Sequence, residues 1–386
     1  MPNSTKKIAI ACQGGGTHAA FEAGVLTEVL QDIERRNRFE LIAISGTSAG
    51  ALCAMMVGYG LAEKRGRQAS GSCDEAVRKI NSFWDDFAAS MPAEIVHNAM
   101  SMAALQAQEM EIPVLGIKAP IWGLNPSGIL DDAIILELEQ AGARKTYCEF
   151  GAMLDAACPD FDTIEWTRVH TRVLVGASEV LDGVETVFDS ACRPQGPSLY
   201  DDASVSHRWR ARLPLSLQGV AASGTLPGVR EAERIGRGFY WDGLYSQNPP
   251  IRELIAGVPK EAAPDEIWVL RINPQQCARP PRTNAEGHDR ENELMGNLSL
   301  NKELDFILTV NELLARYPEL GNEYKPVTIR TIKMTEETAD QLRAWSKFDR
   351  SRSFIDRLRA EGSQVAKAWL SRWPDVDCWP NDAAYH

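Results

Sequence analysis

One stretch limits the fold of this chain more than any other: Leu41-Ile42-Ala43-Ile44-Ser45-Gly46-Thr47-Ser48-Ala49-Gly50, running on to Gly58. The apolar run Leu41 to Ile44 reads as a buried strand. It breaks at Gly46-Thr47-Ser48-Ala49-Gly50, and an apolar, small-residue helical pattern follows from Ala49. G-x-S-x-G between a strand and a helix is the setting of a nucleophile elbow. Side chains at positions 46 and 50 would clash in so tight a turn, so Ser48 is pushed out at the helix N-terminus. There the dipole and the free N–H groups favour developing negative charge. The plainer alternative, a glycine-rich turn with a helix cap, stays open on this stretch alone.

The preceding residues sharpen the choice. Lys7 to Gln13 reads as the first strand, Gly14-Gly15-Gly16 ends it, and Thr17 to Asp32 has helical spacing at Ala20, Ala23, Leu26 and Leu30. The first sixty residues thus read βαβα, which implies a parallel sheet with helices on its faces. Gly14-x-Gly16-x-x-Ala19 fits a dinucleotide fingerprint, but that site needs an acidic residue after the second strand, where this chain has Ser45-Gly46-Thr47-Ser48. No Gly-Lys-Ser/Thr follows to make a phosphate loop. Three glycines with bare N–H groups suit an oxyanion hole better.

Further on, residues 61–75 read as a polar surface loop and 76–130 as a less regular insertion. Ala99 to Leu105 looks helical and Ile112 to Trp122 looks like an apolar loop. Met91, Met100, Met102 and Met110 fall in this region, either filling a core or moulding to an acyl tail. Asn125-Pro126-Ser127-Gly128 marks a turn, and Ile129 to Gly142 a helix. Arg172 to Ser178 and Val184 to Asp189, joined through Asp182-Gly183, read as a hairpin. Leu217 to Ala222 is helical, and Gly238 to Trp241 is a short strand broken by Asp242-Gly243. Asn248-Pro249-Pro250 is expected to open a helix. Glu266 to Ile272 and Val327 to Met334 are strand candidates, with a mobile loop expected over Ala278 to Asp289. Thr335 to Trp373 reads as helical; Ser351 to Trp373 carries an apolar stripe that suits packing on the body better than a membrane surface.

Bulk properties remove whole classes of function. The 386 residues hold 53 acidic against 41 basic side chains, a formal net charge of −12. With no basic tract, nucleic acid is not expected as a partner. The eight cysteines are scattered without C-x-x-C spacing, so zinc and redox roles are not expected, and a reducing, cytoplasmic setting is. The apolar run after Lys7 is too short for a signal peptide, and no stretch reaches the length of a membrane span.

A serine nucleophile needs a base. None of His18, His97, His170, His207, His288 and His386 sits late in the chain at a glycine-flanked strand end. Asp242 does: it follows an aromatic strand and precedes Gly243, with Trp241 and Tyr245 close by. Partial desolvation by those rings would raise its pKa and basicity. An Asp-Gly turn capped by its own side chain fits the same residues equally well.

Taken in order, Gly14-Gly15-Gly16-Thr17-His18, Gly46-Thr47-Ser48-Ala49-Gly50, Ala222-Ser223-Gly224-Thr225-Leu226-Pro227, and Asp242-Gly243 with Asn248-Pro249 resemble the patatin-like phospholipase family. The likeness spans about residues 7–255. It implies a three-layer α/β/α sandwich with a mainly parallel sheet and hydrolysis of lipid acyl esters with no metal or other cofactor. It further implies Ser48 as nucleophile, Asp242 as its base, and an oxyanion hole of Gly14, Gly15 and Gly16 N–H groups, supported by His18, Gly46, Ala49, Gly50 and Gly243. His18 stands where the family commonly has Arg or Lys, so electrostatic help there is weaker and pH-dependent. Leu244 stands where Gly or Ala is usual and narrows the floor near Asp242.

The resulting expectation is a phospholipase A or lysophospholipase type hydrolase acting on a lipid or acyl ester. Residues 1–334 form the hydrolase domain, and 335–386 form a helical extension packed on it. The protein is expected in the cytoplasm with at most transient contact at a membrane surface. A short-chain or polyester esterase on the same dyad, and a silent lipid-binding scaffold, are the alternatives; oligomeric state is not encoded legibly.

Overall fold

A computed structural model describes residues 5–62, 71–109, 132–192, 210–227, 229–277, 279–376 and 378. Among these residues nine strands form one sheet: β1 (Lys6–Cys12), β2 (Phe39–Thr47), β3 (Arg172–Glu179), β4 (Glu185–Asp189), β5 (Arg210–Pro214), β6 (Glu233–Ile235), β7 (Gly238–Asp242), β8 (Glu266–Arg271) and β9 (Thr328–Lys333). Eleven helices are described: α1 (Ala20–Arg36), α2 (Ala49–Leu61), α3 (Cys73–Phe87), α4 (Pro92–Glu109), α5 (Asp132–Gln140), α6 (Lys145–Cys148), α7 (Phe150–Ala157), α8 (Leu217–Ser223), α9 (Asn284–Arg316), α10 (Glu336–Ala339) and α11 (Arg352–Arg372).

The main strand order is β5-β4-β3-β2-β1-β8-β9, and β7, paired with β6, joins β3. Neighbours are parallel except at β3/β4, β3/β7 and β6/β7. Alternation along β1 shows how both faces are covered. Ile8, Ile10 and Cys12 enter a large core, which also takes in Phe21, Val25 and Leu26 of α1, Met55 and Met56 of α2, and Ile355 and Leu358 of α11. Ala9 and Ala11 point the other way, to Leu300, Leu304 and Ile307 on α9. The result is a three-layer α/β/α arrangement about a mostly parallel sheet.

α11 lies directly on α1. A Cβ on Gly24 would stand 2.0 Å from the Arg359 carbonyl oxygen, and one on Gly362 2.0 Å from that of Phe21. The two backbones therefore touch, and Ile355, Leu358, Ala366, Trp369 and Leu370 are buried.

Several sequence expectations give way. The predicted helix from Thr17 opens as a 3₁₀ turn, Gly16–Ala19, before α1 begins at Ala20. The insertion over 76–130 is more regular than its composition suggests: α3 is capped by Ser72, whose hydroxyl accepts from Glu75 N, and α4 spans Pro92–Glu109. The apolar loop at 112–122, the turn at 125–128 and most of the polar loop lie outside the described residues.

No α-helix follows Asn248-Pro249-Pro250; only a 3₁₀ turn, Arg252–Leu254, forms. The Ile251 and Arg252 N–H groups donate instead to the Glu303 carboxylate on α9, at 3.0 and 2.8 Å. The loop expected over 278–289 is in large part the start of α9, a 33-residue helix capped by Thr283, whose Oγ1 accepts from Glu286 N at 3.1 Å. Residues 335–373 are not one helix either. Asp349 Oδ1 accepts from Ser351 N and from Asn98 Nδ2, and Asn98 Oδ1 accepts from Arg350 N at 2.8 Å. Side-chain partners thus hold the backbone where i−4 carbonyls would have been needed.

Candidate active site

β3 serves as a shared ruler. Thr47, the last residue of β2, pairs with Gly176, and Asp242, the last of β7, pairs with Ala177 on the same strand. Two residues 194 positions apart in the sequence, Ser48 and Asp242, are thereby delivered to one spot at the carboxyl end of the central strands.

The elbow is as tight as its glycines require. A Cβ at Gly46 would lie 2.2 Å from Gly50 O, and one at Gly50 2.3 Å from Cys12 O. Ser48 itself takes φ 56° and ψ −129°, a left-handed backbone that non-glycine residues rarely adopt. It is partly exposed, whereas Ser45 to Thr47 and Ala49 to Ala54 are buried. Its N–H donates to Ser223 Oγ at 2.9 Å, and Ser223 Oγ in turn donates to Gly176 O at 2.6 Å. Asp242 N donates to Thr225 O at 2.8 Å. The small-residue segment 222–225 therefore clamps both the serine and the aspartate.

Asp242 is 1% exposed. Burial pushes its pKa up to about 7, against the Leu244 N–H, a hydrogen bond with Ser48 and the positive charge of Lys347, all of which pull it down. Its Oδ1 accepts from Leu244 N at 2.8 Å, so the self-capped Asp-Gly turn is present too. The two sequence readings of Asp242 coexist: the cap fixes the carboxylate that faces the serine.

The glycine loop lies against the elbow, for a Cβ on Gly14 would meet Thr47 O at 2.6 Å and Ser48 Cβ at 2.8 Å. Gly14 N does not stand free, as the three-amide oxyanion hole supposed; it donates to Asn248 Oδ1 at 2.6 Å. Among the described residues the N–H groups of Gly15 and Gly16 have no hydrogen-bond acceptor. Gln13 braces the loop from below, its Oε1 accepting from Ile272 N and Asn273 N at 3.0 Å each, and Asn273 Nδ2 reaches Gly14 O at 3.2 Å.

His18 does not provide the charge its position suggested. It is buried, with Nε2 2.8 Å from Ser346 Oγ, and burial, followed by the Lys347 and Arg357 charges, holds its pKa well below 6.5. A neutral ring results. A cation is supplied instead by Lys347, whose Nζ donates to Asn273 Oδ1 at 2.9 Å and also to Asn292 Oδ1.

Sequence reasoning quoted Ser223 and Asn248 within motifs but gave neither a role. It missed Asn273 and Lys347, which carry no local pattern and act only through long-range contacts. Among the described residues no cluster of His, Cys, Asp or Glu is placed to hold a metal, and no helix is long and apolar enough to cross a membrane.

A strained serine on a strand-to-helix turn, bonded to a buried carboxylate and faced by a glycine loop, places the molecule in the class of α/β folds with a G-x-S-x-G elbow. Within that class the chain belongs to the patatin-like phospholipase family, whose model matches residues 10–255. The family is one of lipid acyl hydrolases. Among solved structures it is similar to the type III effector protein ExoU, at 13% identity and a TM-score of 0.30, over 95% of this chain and 53% of that one. The chain thus spans about half the length of that protein. No curated protein matches it.

Proposed function

We propose that this chain hydrolyses lipid acyl esters, of the phospholipase A or lysophospholipase type, with Ser48 as nucleophile and Asp242 as its base. The observation that carries the reading is the hydrogen bond between the Ser48 hydroxyl and a carboxylate that burial has raised to about 7. A base with that pKa is half ionised near neutral pH and can both take and return a proton there.

Asp242 takes the hydroxyl proton as Ser48 Oγ attacks the ester carbonyl. The carbonyl oxygen becomes negative and is held by the free N–H groups of Gly15 and Gly16, fixed dipoles aimed at the site. Collapse of the tetrahedral intermediate breaks the bond to the alcohol, which leaves with the proton from Asp242. Water then gives its proton to Asp242 and attacks the acyl-serine. Ser48 leaves, recovers the proton, and the carboxylic acid is released.

Apolar surface beside the site suits an acyl chain. Tyr245 is 50% exposed next to the Asp242 turn. Ser48→Ala is expected to leave the fold intact and to abolish turnover of p-nitrophenyl acyl esters, and a fluorophosphonate is expected to label the parent at Ser48. Unchanged hydrolysis by Ser48→Ala would remove the assignment. Turnover against acyl length separates a lipid hydrolase from a short-chain esterase.

A further inference from the structure

The cation beside the site comes from outside the 10–255 family match. Lys347 lies in the 3₁₀ turn Ala344–Phe348, between α10 and α11. It touches the glycine loop in two ways. Its carbonyl oxygen occupies the place a side chain on Gly16 would take, 2.3 Å from such a Cβ. Its Nζ donates to Asn273 Oδ1 at 2.9 Å, and Asn273 Nδ2 donates to Gly14 O at 3.2 Å. With Gly14 N fixed on Asn248 Oδ1 at 2.6 Å, the loop is gripped at the peptide groups on both sides of its first glycine. The ammonium is half-buried, bonded to the neutral amides of Asn273 and Asn292, and forms no ion pair within 4.0 Å among the described residues. Its field therefore acts on the nearby carboxylates without being cancelled by one close partner.

Resting on the Ser48–Asp242 reading, we propose that Lys347 is a positioning residue of that reaction: it sets the glycine loop through Asn273 and places an uncancelled positive charge on the same side of the molecule as the dyad. The segment carrying it thereby completes the site. The groups in play are few. Asp242 is bonded by Ser48 and Leu244 N–H and interacts electrostatically with Lys347 and Tyr245. Lys347 interacts with Glu293, Asp289 and Asp242, and with the neutral His18. Burial lowers Lys347 to about 8, while Glu293, Asp289 and Asp242 pull the other way, so the lysine is charged across the range in which Asp242 ionises.

The test is the pH profile of kcat/KM for a p-nitrophenyl ester in the full chain, comparing the parent with Lys347→Met, Lys347→Arg and Glu293→Gln. Removing the positive charge raises the pKa of Asp242, so the acid limb of Lys347→Met is expected to move up by roughly half a unit or more. Its kcat is expected to fall about tenfold with KM little changed, as for a group acting on the reaction rather than on uniform binding. Lys347→Arg is expected to keep the parent's acid limb. The limb position does not depend on how much of a variant folds. Should Lys347→Met yield no folded protein, Glu293→Gln decides: it removes a carboxylate that favours the charged lysine, so the alkaline limb is expected to move down. An acid limb in Lys347→Met that superimposes on the parent's, the same shift in Lys347→Arg as in Lys347→Met, or an alkaline limb unmoved in Glu293→Gln overturns the proposal. Fluorophosphonate labelling separates the two levels. No label at Ser48 in the parent removes the dyad, whereas a labelled parent with unmoved limbs removes Lys347 alone.

Discussion

Two buried aspartates end strands of the same sheet and have opposite chemistry. Asp189, at the end of β4, is 0% exposed, and Asp242, at the end of β7, is 1% exposed. Asp189 lies between two guanidiniums: Arg172 reaches it at 2.9 and 2.6 Å, and Arg212 Nε at 3.0 Å. Burial raises its pKa, but the Arg172 and Arg212 interactions outweigh burial and leave it low. Asp242 has a neutral amide and a neutral hydroxyl as its bonded partners, and burial prevails. Loss of water does not by itself make a carboxylate reactive; what matters is whether a full countercharge replaces it. One aspartate holds strands together, and the other is left with a proton affinity suited to chemistry near neutrality.

The comparison can be broken at either end. The largest effect is expected from Asp242→Asn, which keeps an acceptor for Leu244 N but removes the base. Ester turnover should fall by about 10²–10⁴-fold, read from steady-state rates on folded protein; a smaller loss would put the base elsewhere. Next is Arg172→Ala, which strips Asp189 of the more buried of its two guanidinium partners. The expected cost is about 3 kcal/mol in urea unfolding, as for a buried pair that loses one member, with turnover per folded molecule unchanged.

A third test sharpens the contrast through pH. Because the folded pKa of Asp242 lies above its ordinary value of 3.8, the stability associated with its protonated form is complete below that value and is lost as pH rises through about 7. Asp242→Asn should therefore be more stable than the parent at pH 8, by at most about 4 kcal/mol, with the difference vanishing near pH 4. Asp189, with its pKa held low, has the opposite sign: its contribution is present at neutral pH and lost as pH falls. Urea midpoints at several pH values report both.

The legibility of the molecule follows the range of its interactions. The hairpin at Asp182-Gly183, with Gly183 at φ 67°, and the strands β8 and β9 were readable because local pattern and turn chemistry agree there. The elbow was readable because Gly46 and Gly50 are needed for backbone contact within a few residues and with the next strand. α9 was missed because its apolar stripe, Leu300, Leu304 and Ile307, lies in its second half, behind a polar stretch that reads as loop. Asn248 was taken for a helix start, because nothing beside it in sequence shows that its amide belongs to Gly14, 234 residues away. Lys347 was invisible for the same reason: its meaning lies in Asn273, Asn292 and the loop at residue 16.

The bare backbone contacts of Gly24 on Arg359 and of Gly362 on Phe21 have a consequence for anyone who would shorten this chain. Two helices whose backbones touch at a glycine on each side fit as a matched pair, and removing one leaves a trough shaped for nothing else. A chain cut after Met334 would not be a smaller hydrolase with a tail removed. It would present Phe21, Val25 and the neighbouring floor of the main core to water, and would be expected to aggregate before it could be assayed.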